Sequence, residues 1–319
     1  NESLTLVYAD ATKGWLAVEE GTGYVGENFI SATGGTITCS GNDRIHTFTG
    51  PGTFTVSSVA DCASNNIVSY VVVAGGGGGG NQIAGGGGAG GFREVKNPAT
   101  PYTASPLDGY PTPGNRITVT ATDFPITVGG GGAQVITPCA GSGPVGNPGS
   151  NSTFSTITSA GGGGGGGNNG SNGVAGGSGG GAGLRAPSGS SPGAGNTPPV
   201  TPAQGFAGGA ASPGTPNPDG GGGGGGATAV GANYADPVAG AGGAGRVDQA
   251  VPGGAGGAGG GGNGAPGQPG NPDIRTGSNG TDNTGGGGGA GGYNGGGAAG
   301  KGISGVGGSG IVIIRYKSS

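Results

Sequence analysis

The sequence contains few of the residues from which enzymes build active sites. Its 319 residues include one histidine, three cysteines and no methionine, and only 8% of them are charged. A single histidine excludes metal sites that need several histidines, and its position within a predicted strand favours a structural role over one in a catalytic triad. The acidic residues stand apart and match neither an EF-hand nor a calcium-binding repeat. We therefore expect no enzymatic activity, no cofactor and no bound metal.

Charge and long apolar runs are also scarce. The net charge is −4, from 11 basic and 15 acidic residues, and the basic residues stand singly along the chain. This pattern excludes a basic surface for nucleic acid. No stretch of about 18 apolar residues predicts a membrane-spanning helix. Because the chain starts at Asn1 without a leader-like segment, we expect it to be one end of a longer protein.

The three cysteines, Cys39, Cys62 and Cys139, are too few for a disulfide-stapled scaffold, and an odd number cannot all pair within one chain. Cys39 and Cys62 could bridge two neighbouring strands. Alternatively, all three are reduced and buried thiols, which is the reading that a reducing compartment favours. The sequence leaves both alternatives open.

Glycine dominates the chain and is unevenly distributed. The 94 glycines and 23 prolines are more than a third of all residues, against about 12% in average proteins. Both residue types interrupt α-helices, so we expect essentially no α-helix. Residues 1–74 contain only nine of the glycines, which places a boundary near Ala74.

Upstream of this boundary the chain reads as short β-strands. Ser3–Tyr8 and Gly14–Val18 alternate apolar and polar residues around a turn, and we interpret residues 1–27 as the end of a preceding β module. Residues 28–74 are predicted to form a small β unit because they are rich in threonine, isoleucine, phenylalanine and valine. Its strands are Gly35–Cys39, Arg44–Thr49 and Thr53–Ser57.

Downstream, in residues 75–319, short β-branched strands run directly into glycine. Ser69–Ala74 enters Gly75–Gly80, Ser152–Ser159 enters a second run, and the strand 310–317 closes the chain. Ser69–Ala74 and Gly310–Lys317 are the two most apolar strands. We therefore predict that they lie in one sheet.

The glycine runs themselves predict polyglycine-II helices packed side by side. Collagen is excluded because only short stretches keep glycine at every third position. A helix with three residues per turn has no internal hydrogen bonds, so every N–H and C=O must find a partner on a neighbouring helix. Breaks in the runs predict helices of about 6–10 residues. Alanine and serine are expected only on outer faces. The predicted fold class is thus mainly β and irregular, with a small β base and a polyglycine-II bundle capped by short strands.

Four motifs in this order resemble a known family. They are Arg44–Ser58, Ser69–Gly80, Ser152–Gly167 and Gly307–Lys317. Together they are similar to the glycine-rich distal region of tail fibres and adhesins of tailed phages, particularly marine phages and cyanophages. The resemblance covers essentially the whole chain. It implies that the glycine lattice is a scaffold and that loops at its tip contact a host receptor.

Candidate contact residues are aromatic and basic side chains isolated among glycine and proline. Loops on a rigid scaffold often carry function, and tyrosine or phenylalanine suits contacts with sugars or protein loops. An alternative role is that these side chains cap the glycine helices. The longest insertions are 92–115 and 184–219, with shorter ones at 229–251 and 264–283. The candidates are Phe92, Arg93, Tyr102, Tyr110, Phe206, Tyr234 and Tyr293.

Taken with these features, the resemblance implies a structural virion protein, the distal receptor-binding module of a tail fibre. The resemblance implies a homotrimer in the virion, joined to other virion or fibre proteins, with a glycan or an outer-membrane protein of the host as receptor. The alternative is a subunit of a self-assembling extracellular glycine-rich filament. Electron micrographs of fibres on virions, or of long helical polymers, distinguish the two.

Overall fold

The computed structural model describes residues 5–10, 14–18, 28–137, 143–168, 170–184, 190–212, 220–235, 239–245, 259–264, 276–292 and 302–319. None of these residues lies in an α-helix, and the helical turns among them are the short 3-10 turns Ala63–Asn66 and Pro113–Asn115. The predicted class, mainly β and irregular, is confirmed. The strands are β1 (Thr5–Asp10), β2 (Gly14–Val18), β3 (Ser31–Thr33), β4 (Thr36–Ser40), β5 (Asp43–Phe48), β6 (Gly52–Ser58), β7 (Ile67–Val73), β8 (Phe92–Val95), β9 (Ile117–Thr118), β10 (Asp123–Thr127), β11 (Ile136–Thr137), β12 (Ser152–Phe154), β13 (Ile157–Ser159), β14 (Gly302–Ile303) and β15 (Ile311–Lys317).

Two sheets pack on each other and form a β-sandwich. The larger sheet has the order β4-β5-β15-β7-β8, with β9 also paired to β7, and the smaller has the order β13-β12-β10-β6-β3. Aromatic rings fill the core between them. The ring centroids of Phe54 and Phe154 are 6.2 Å apart, and those of Tyr70 and Phe154 are 5.9 Å apart. The sandwich therefore collects large apolar side chains that the glycine runs lack.

The strand β15 is in the middle of the larger sheet. It pairs antiparallel with β5 on one side and with β7 on the other, so that Ile313 lies opposite both Thr47 and Val71. The prediction that Ser69–Ala74 and Gly310–Lys317 share a sheet is confirmed.

Both faces of β15 are buried, which explains why its sequence does not alternate between apolar and polar residues. Val312, Ile314 and Tyr316 point into the core between the sheets, whereas Ile311 and Ile313 join a second apolar cluster on the other face.

Strands from residues 28–74 pair with strands from later in the chain. β5 pairs with β15, and β6 pairs with β10. The strands of the predicted small β unit therefore do not form sheets of their own. β1 and β2 form a separate antiparallel hairpin, in which Leu6 lies opposite Ala17.

The glycine runs form polyglycine-II helices, which helix 74–80 shows through its hydrogen bonds. Ala74, Gly77 and Gly80, every third residue, donate their N–H groups to helix 85–91 over 2.8–3.1 Å. This period of three is that of the polyglycine-II helix. The other N–H groups repeat the spacing toward two further helices: Gly75 and Gly78 toward 143–150, and Gly76 and Gly79 toward 302–310.

Helix 74–80 also accepts hydrogen bonds from three more helices, 129–135, 160–168 and 284–292. It is therefore bonded to six neighbours, three through its N–H groups and three through its C=O groups. Helices 85–91, 177–184 and 220–227 have six bonded neighbours each in the same way. The run Gly75–Gly91 is two helices joined by the turn 81–84, which confirms the predicted short helices.

Glycine is required at most contacts between helices of this lattice. A methyl group added to Gly77 would overlap the carbonyl oxygen of Gly163, and one added to Gly165 would overlap that of Gly85. The obstructing atoms are backbone atoms of a hydrogen-bonded neighbour, so neither helix can move away without breaking the lattice.

Alanine and serine nevertheless occur inside the lattice. Ala89, Ala182 and Ser178 are fully buried, so the prediction that these residue types are confined to outer faces is wrong. The side chains of Ala89 and Ala227 lie beside Gly259, where a positive φ of 76° turns the chain. A turn interrupts the close approach of straight helices and leaves room for a methyl group.

The lattice has two distinct ends. At the sandwich end, β7 continues into helix 74–80 and helix 302–310 continues into β15. We call the opposite end, around the turn 81–84, the far end. There the amide of Asn81 donates to Gly302 O over 2.6 Å and to Val135 O over 3.0 Å.

Candidate functional site

The lattice leaves few backbone N–H and C=O groups available to bind another molecule. In its inner helices, N–H and C=O groups are bonded to neighbouring helices, and glycine offers no side chain. Any specific contact therefore depends on side chains at the surface or at the ends of the lattice. The positions of the seven candidate residues decide which of them are available.

Phe92 and Arg93 are at the sandwich end and are buried in β8, with exposed fractions of 1% and 8%. Phe92 belongs to the apolar cluster behind β15. Arg93 donates from Nη2 to Asn115 Oδ1 over 2.8 Å, and burial lowers the pKa of its guanidinium. Burial makes both side chains part of the core, which contradicts their candidate role in a contact surface.

Tyr102 and Tyr110 are half-buried on the insertion 92–115, which folds against the sandwich. The Arg315 guanidinium lies 5.2 Å from the Tyr102 ring centroid, and that of Arg116 lies 4.4 Å from the Tyr110 ring centroid. Cation–π contacts of this kind hold the rings over the core. Their packing fits the capping role better than a receptor contact.

The remaining candidates are spread along the lattice. Phe206 is half-buried in helix 204–211, where its N–H donates to Gly226 O over 3.1 Å. Tyr234 is half-buried at the far end, and its ring lies over Gly220. Tyr293 lies outside the described residues. The structure therefore does not bring the six described candidates together into one site.

Sequence reasoning missed a set of buried polar side chains that complete the lattice at its ends. The Oε1 atom of Gln204 accepts the N–H of Ala160 over 2.8 Å, and its Nε2 donates to Pro198 O over 2.8 Å. Ser152 donates to Val73 O over 2.8 Å and accepts the N–H of Gly129 over 2.9 Å. The available signal was a single amide or hydroxyl residue at the border of each glycine run.

His46 is a buried core residue of β5, as its place in a predicted strand indicated. Its Nδ1 lies 2.7 Å from Gly34 O, and its Nε2 lies 3.0 Å from the Tyr316 hydroxyl. Burial lowers the pKa of His46, against the Gly34 hydrogen bond, which raises it, and together with the Arg44 charge, which also lowers it. Burial raises the pKa of Tyr316 to about 12. Both groups are thus neutral near pH 7.

We predict that His46 makes stability depend on pH. The unfolded chain binds a proton near the usual histidine pKa of 6.5, whereas the folded chain binds it only at lower pH. The stabilisation is complete above pH 6.5 and is lost as the pH falls toward the lowered folded pKa. Thermal melts between about pH 8 and pH 5 should show this loss in the wild type and a smaller one in His46→Gln. Equal slopes in the two proteins would contradict the assignment.

Metal and thiol chemistry can be checked in the described part of the chain. There, no three histidine, cysteine, aspartate or glutamate side chains come together in a way that could hold a metal ion. Cys39 and Cys62 are exposed and are not joined to each other, so they neither form the bridge nor occupy the buried positions that the sequence allowed. Cys139 lies outside the described residues.

No helix in the described ranges is long and apolar enough to cross a membrane. A search of curated proteins found no match to this chain. A family model described as a glycine-rich domain matches residues 47–317, from β5 to the end of β15. The match includes all of the polyglycine-II lattice and most of the sandwich, so the chain belongs to the glycine-rich domain family.

Proposed function

We propose that this protein is the distal, receptor-binding part of a phage tail fibre and that it acts by adhesion rather than catalysis. The observation that carries the proposal is the direction in which the chain leaves the lattice. Six insertions of three or more residues have both flanking residues at the far end, as the hydrogen bonds of those flanks show. These insertions, all outside the described residues, are 138–142, 185–189, 213–219, 236–238, 265–275 and 293–301.

Side chains of several chemical kinds are concentrated in these insertions. The sequence supplies Arg185, Asp219, Asp273, Arg275 and Tyr293 there, while inner helices of the lattice such as 74–80 and 220–227 are nearly all glycine. A hydrogen-bonded lattice with several insertions that begin and end at the same end resembles the arrangement by which other proteins place binding loops on a rigid scaffold. The motif resemblance to phage fibres supports the same function. Under this proposal the sandwich end faces the virion, the receptor is a glycan or an outer-membrane protein, and the assembly is a homotrimer.

Adsorption of the purified protein to cells tests the proposal. A labelled protein is applied to a panel of bacterial strains, and binding is compared with that of two variants. In the first, residues 265–275, whose flanks Gly264 and Thr276 lie at the far end, are replaced by glycine and serine of equal length. In the second, the matched control, the same replacement is made at 246–258, whose flanks Gly245 and Gly259 lie at the sandwich end.

We expect adsorption to fall by at least about tenfold in the first variant and to be unchanged in the second. Thermal melts confirm that both variants keep the lattice. Equal adsorption of both variants to every strain, or no adsorption of the wild type to any of them, would contradict a receptor-binding function.

One observation favours the alternative, a self-assembling filament. The edge strand β4 pairs with β5 on one side, and its residues 36–39 are exposed. This strand lacks the lysine or proline with which proteins block the edges of their sheets. Long helical polymers in electron micrographs of the pure protein would support the filament and argue against a fibre tip.

A further inference from the structure

A groove in the surface of the lattice is the strongest feature that the proposed function does not use. It has a volume of about 200 Å³ and lies between three glycine helices. Residues of helices 259–264 and 276–281 form its walls, and helix 284–292 forms its floor. We call it the lattice groove.

The fully surrounded helix 74–80 shows the order in which neighbours bond. Helices that receive its N–H groups alternate around it with helices that donate to its C=O groups. Adjacent neighbours in this ring are also bonded to each other, as Gly88 and Gly163 are. In order around the ring the neighbours are 85–91, 160–168, 143–150, 129–135, 302–310 and 284–292.

The floor helix 284–292 has five bonded neighbours in the same alternating order. The N–H of Gly285, at its start, donates to Ser309 O. From Gly287 onward its N–H groups reach 74–80, 259–264 and 276–281, while its C=O groups receive 85–91 and 302–310. The sixth position, between 259–264 and 276–281, is the lattice groove. Because accepting and donating neighbours alternate around a helix, a helix at this position should donate its N–H groups to the carbonyl oxygens of the floor.

The unused backbone groups agree with this assignment. Among the described residues, none donates to the carbonyl oxygens of Gly287 and Ala290, which are three residues apart on the floor. On the walls, the N–H groups of Gly260 and Asn263, and those of Ser278 and Thr281, donate to no described residue. Each pair keeps the lattice spacing of three. The groove therefore combines acceptors on its floor with donors on both walls.

We propose that the lattice groove binds a polyglycine-II helix supplied by a separate glycine-rich chain. Such a helix carries N–H and C=O groups on all sides with a period of three, so it matches the floor and the walls together. It must be glycine where it touches them, because a methyl group at equivalent contacts inside the lattice overlaps backbone oxygens. The mode corresponds to the addition of a strand to the edge of a β-sheet, with a polyglycine-II lattice in place of the sheet.

The places where the chain enters and leaves these helices indicate that a separate chain, not an insertion of this one, would fill the groove. The insertion 265–275 joins the far ends of the two walls, and 293–301 also begins and ends at the far end. The insertion 246–258 begins and ends at the sandwich end. An insertion of this kind that ran along the groove would need a second pass to return, and the groove has room for one helix.

Binding of a soluble glycine peptide tests the proposal. The probe is a fluorescent hexaglycine peptide flanked by lysines, and the control peptide has valine in place of two of the glycines. The blocking variant is Gly260→Val, because a side chain at this groove residue meets no atom closer than 3.8 Å and should not disturb folding. The matched variant is Gly130→Val, since Gly130 also has free space around it but is in helix 129–135, away from the groove.

We expect saturable binding of the glycine peptide, weakened at least about tenfold by Gly260→Val and not by Gly130→Val. Hydrogen exchange should slow on binding in 259–264 and 276–281 but not in 204–211. Self-association that protects the same amides would also support the proposal, with a second copy as the source of the helix. Equal binding of the valine peptide, indifference to Gly260→Val, or amides protected at every dilution without peptide would overturn it.

Discussion

Deletion of residues 311–319 is expected to abolish cooperative folding. The deletion removes β15 from between β5 and β7, so both neighbours lose their ladder of hydrogen bonds. Val312, Ile313 and Ile314 are fully buried and Tyr316 nearly so. At about 1.5–3 kcal/mol for each such side chain, the loss of about 6–12 kcal/mol is comparable to the total stability of a typical protein.

The deletion also leaves a charge buried without its partner. Arg315 Nε donates to Asp43 Oδ2 over 2.6 Å, and both side chains are at most 5% exposed. Loss of one member of a buried pair costs about 3–5 kcal/mol. Thermal melts followed by circular dichroism measure the outcome, with deletion of residues 318–319 as the control. An unchanged melting temperature in the longer deletion would show that β15 does not complete the core.

The substitution Gly165→Ala should also destabilise the protein strongly, although it adds only one methyl group. The added carbon would overlap the carbonyl oxygen of Gly85, which itself accepts the N–H of Gly80. Helices 74–80, 85–91 and 160–168 are hydrogen-bonded to one another, so a shift of one breaks bonds to the others. We expect a loss of about 4 kcal/mol or more, beyond the usual effect of a single substitution.

Gly130→Ala is the matched control, because no atom lies within 4 Å of the position that its methyl group would take. It should be neutral or stabilise the protein by up to about 1 kcal/mol, since alanine restricts the unfolded chain. Denaturant unfolding of the two variants gives both values. Equal stability of the two variants would mean that helix contacts do not require glycine.

Much of this fold could be predicted because its elements depend on local sequence. The apolar strands Ser69–Ala74 and Gly310–Lys317 pair as expected, and the glycine runs form short polyglycine-II helices. The insertion of β15 between β5 and β7 was not predictable. An apolar strand sequence indicates that the strand is buried, but it does not indicate which second strand pairs with it. The order of helices in the lattice was also not predictable, since glycine has no side chain that would indicate which helix lies beside it.

The candidate residues show a different limit of sequence reasoning. Isolated aromatic and basic residues in glycine suggested exposure, yet Phe92 and Arg93 are buried because they begin a strand beside β7. Tyr102 was a candidate on the same grounds and packs over the apolar cluster behind β15. A short strand after a glycine run gives no sign of whether it joins a sheet or a loop.

The central place of β15 also sets the order in which this molecule can mature on the ribosome. The hydrogen-bonded pair His46 and Tyr316 is separated by 270 residues. At roughly 5–20 residues per second, the first strands wait about 15–50 s before their partner is synthesised. During that time Ile45 and Val71 have no β15 to cover them, so nascent chains must be protected from one another, by spacing along the messenger or by chaperones. A protein whose folded form is held by so many cooperative contacts is thus most vulnerable just before β15 emerges.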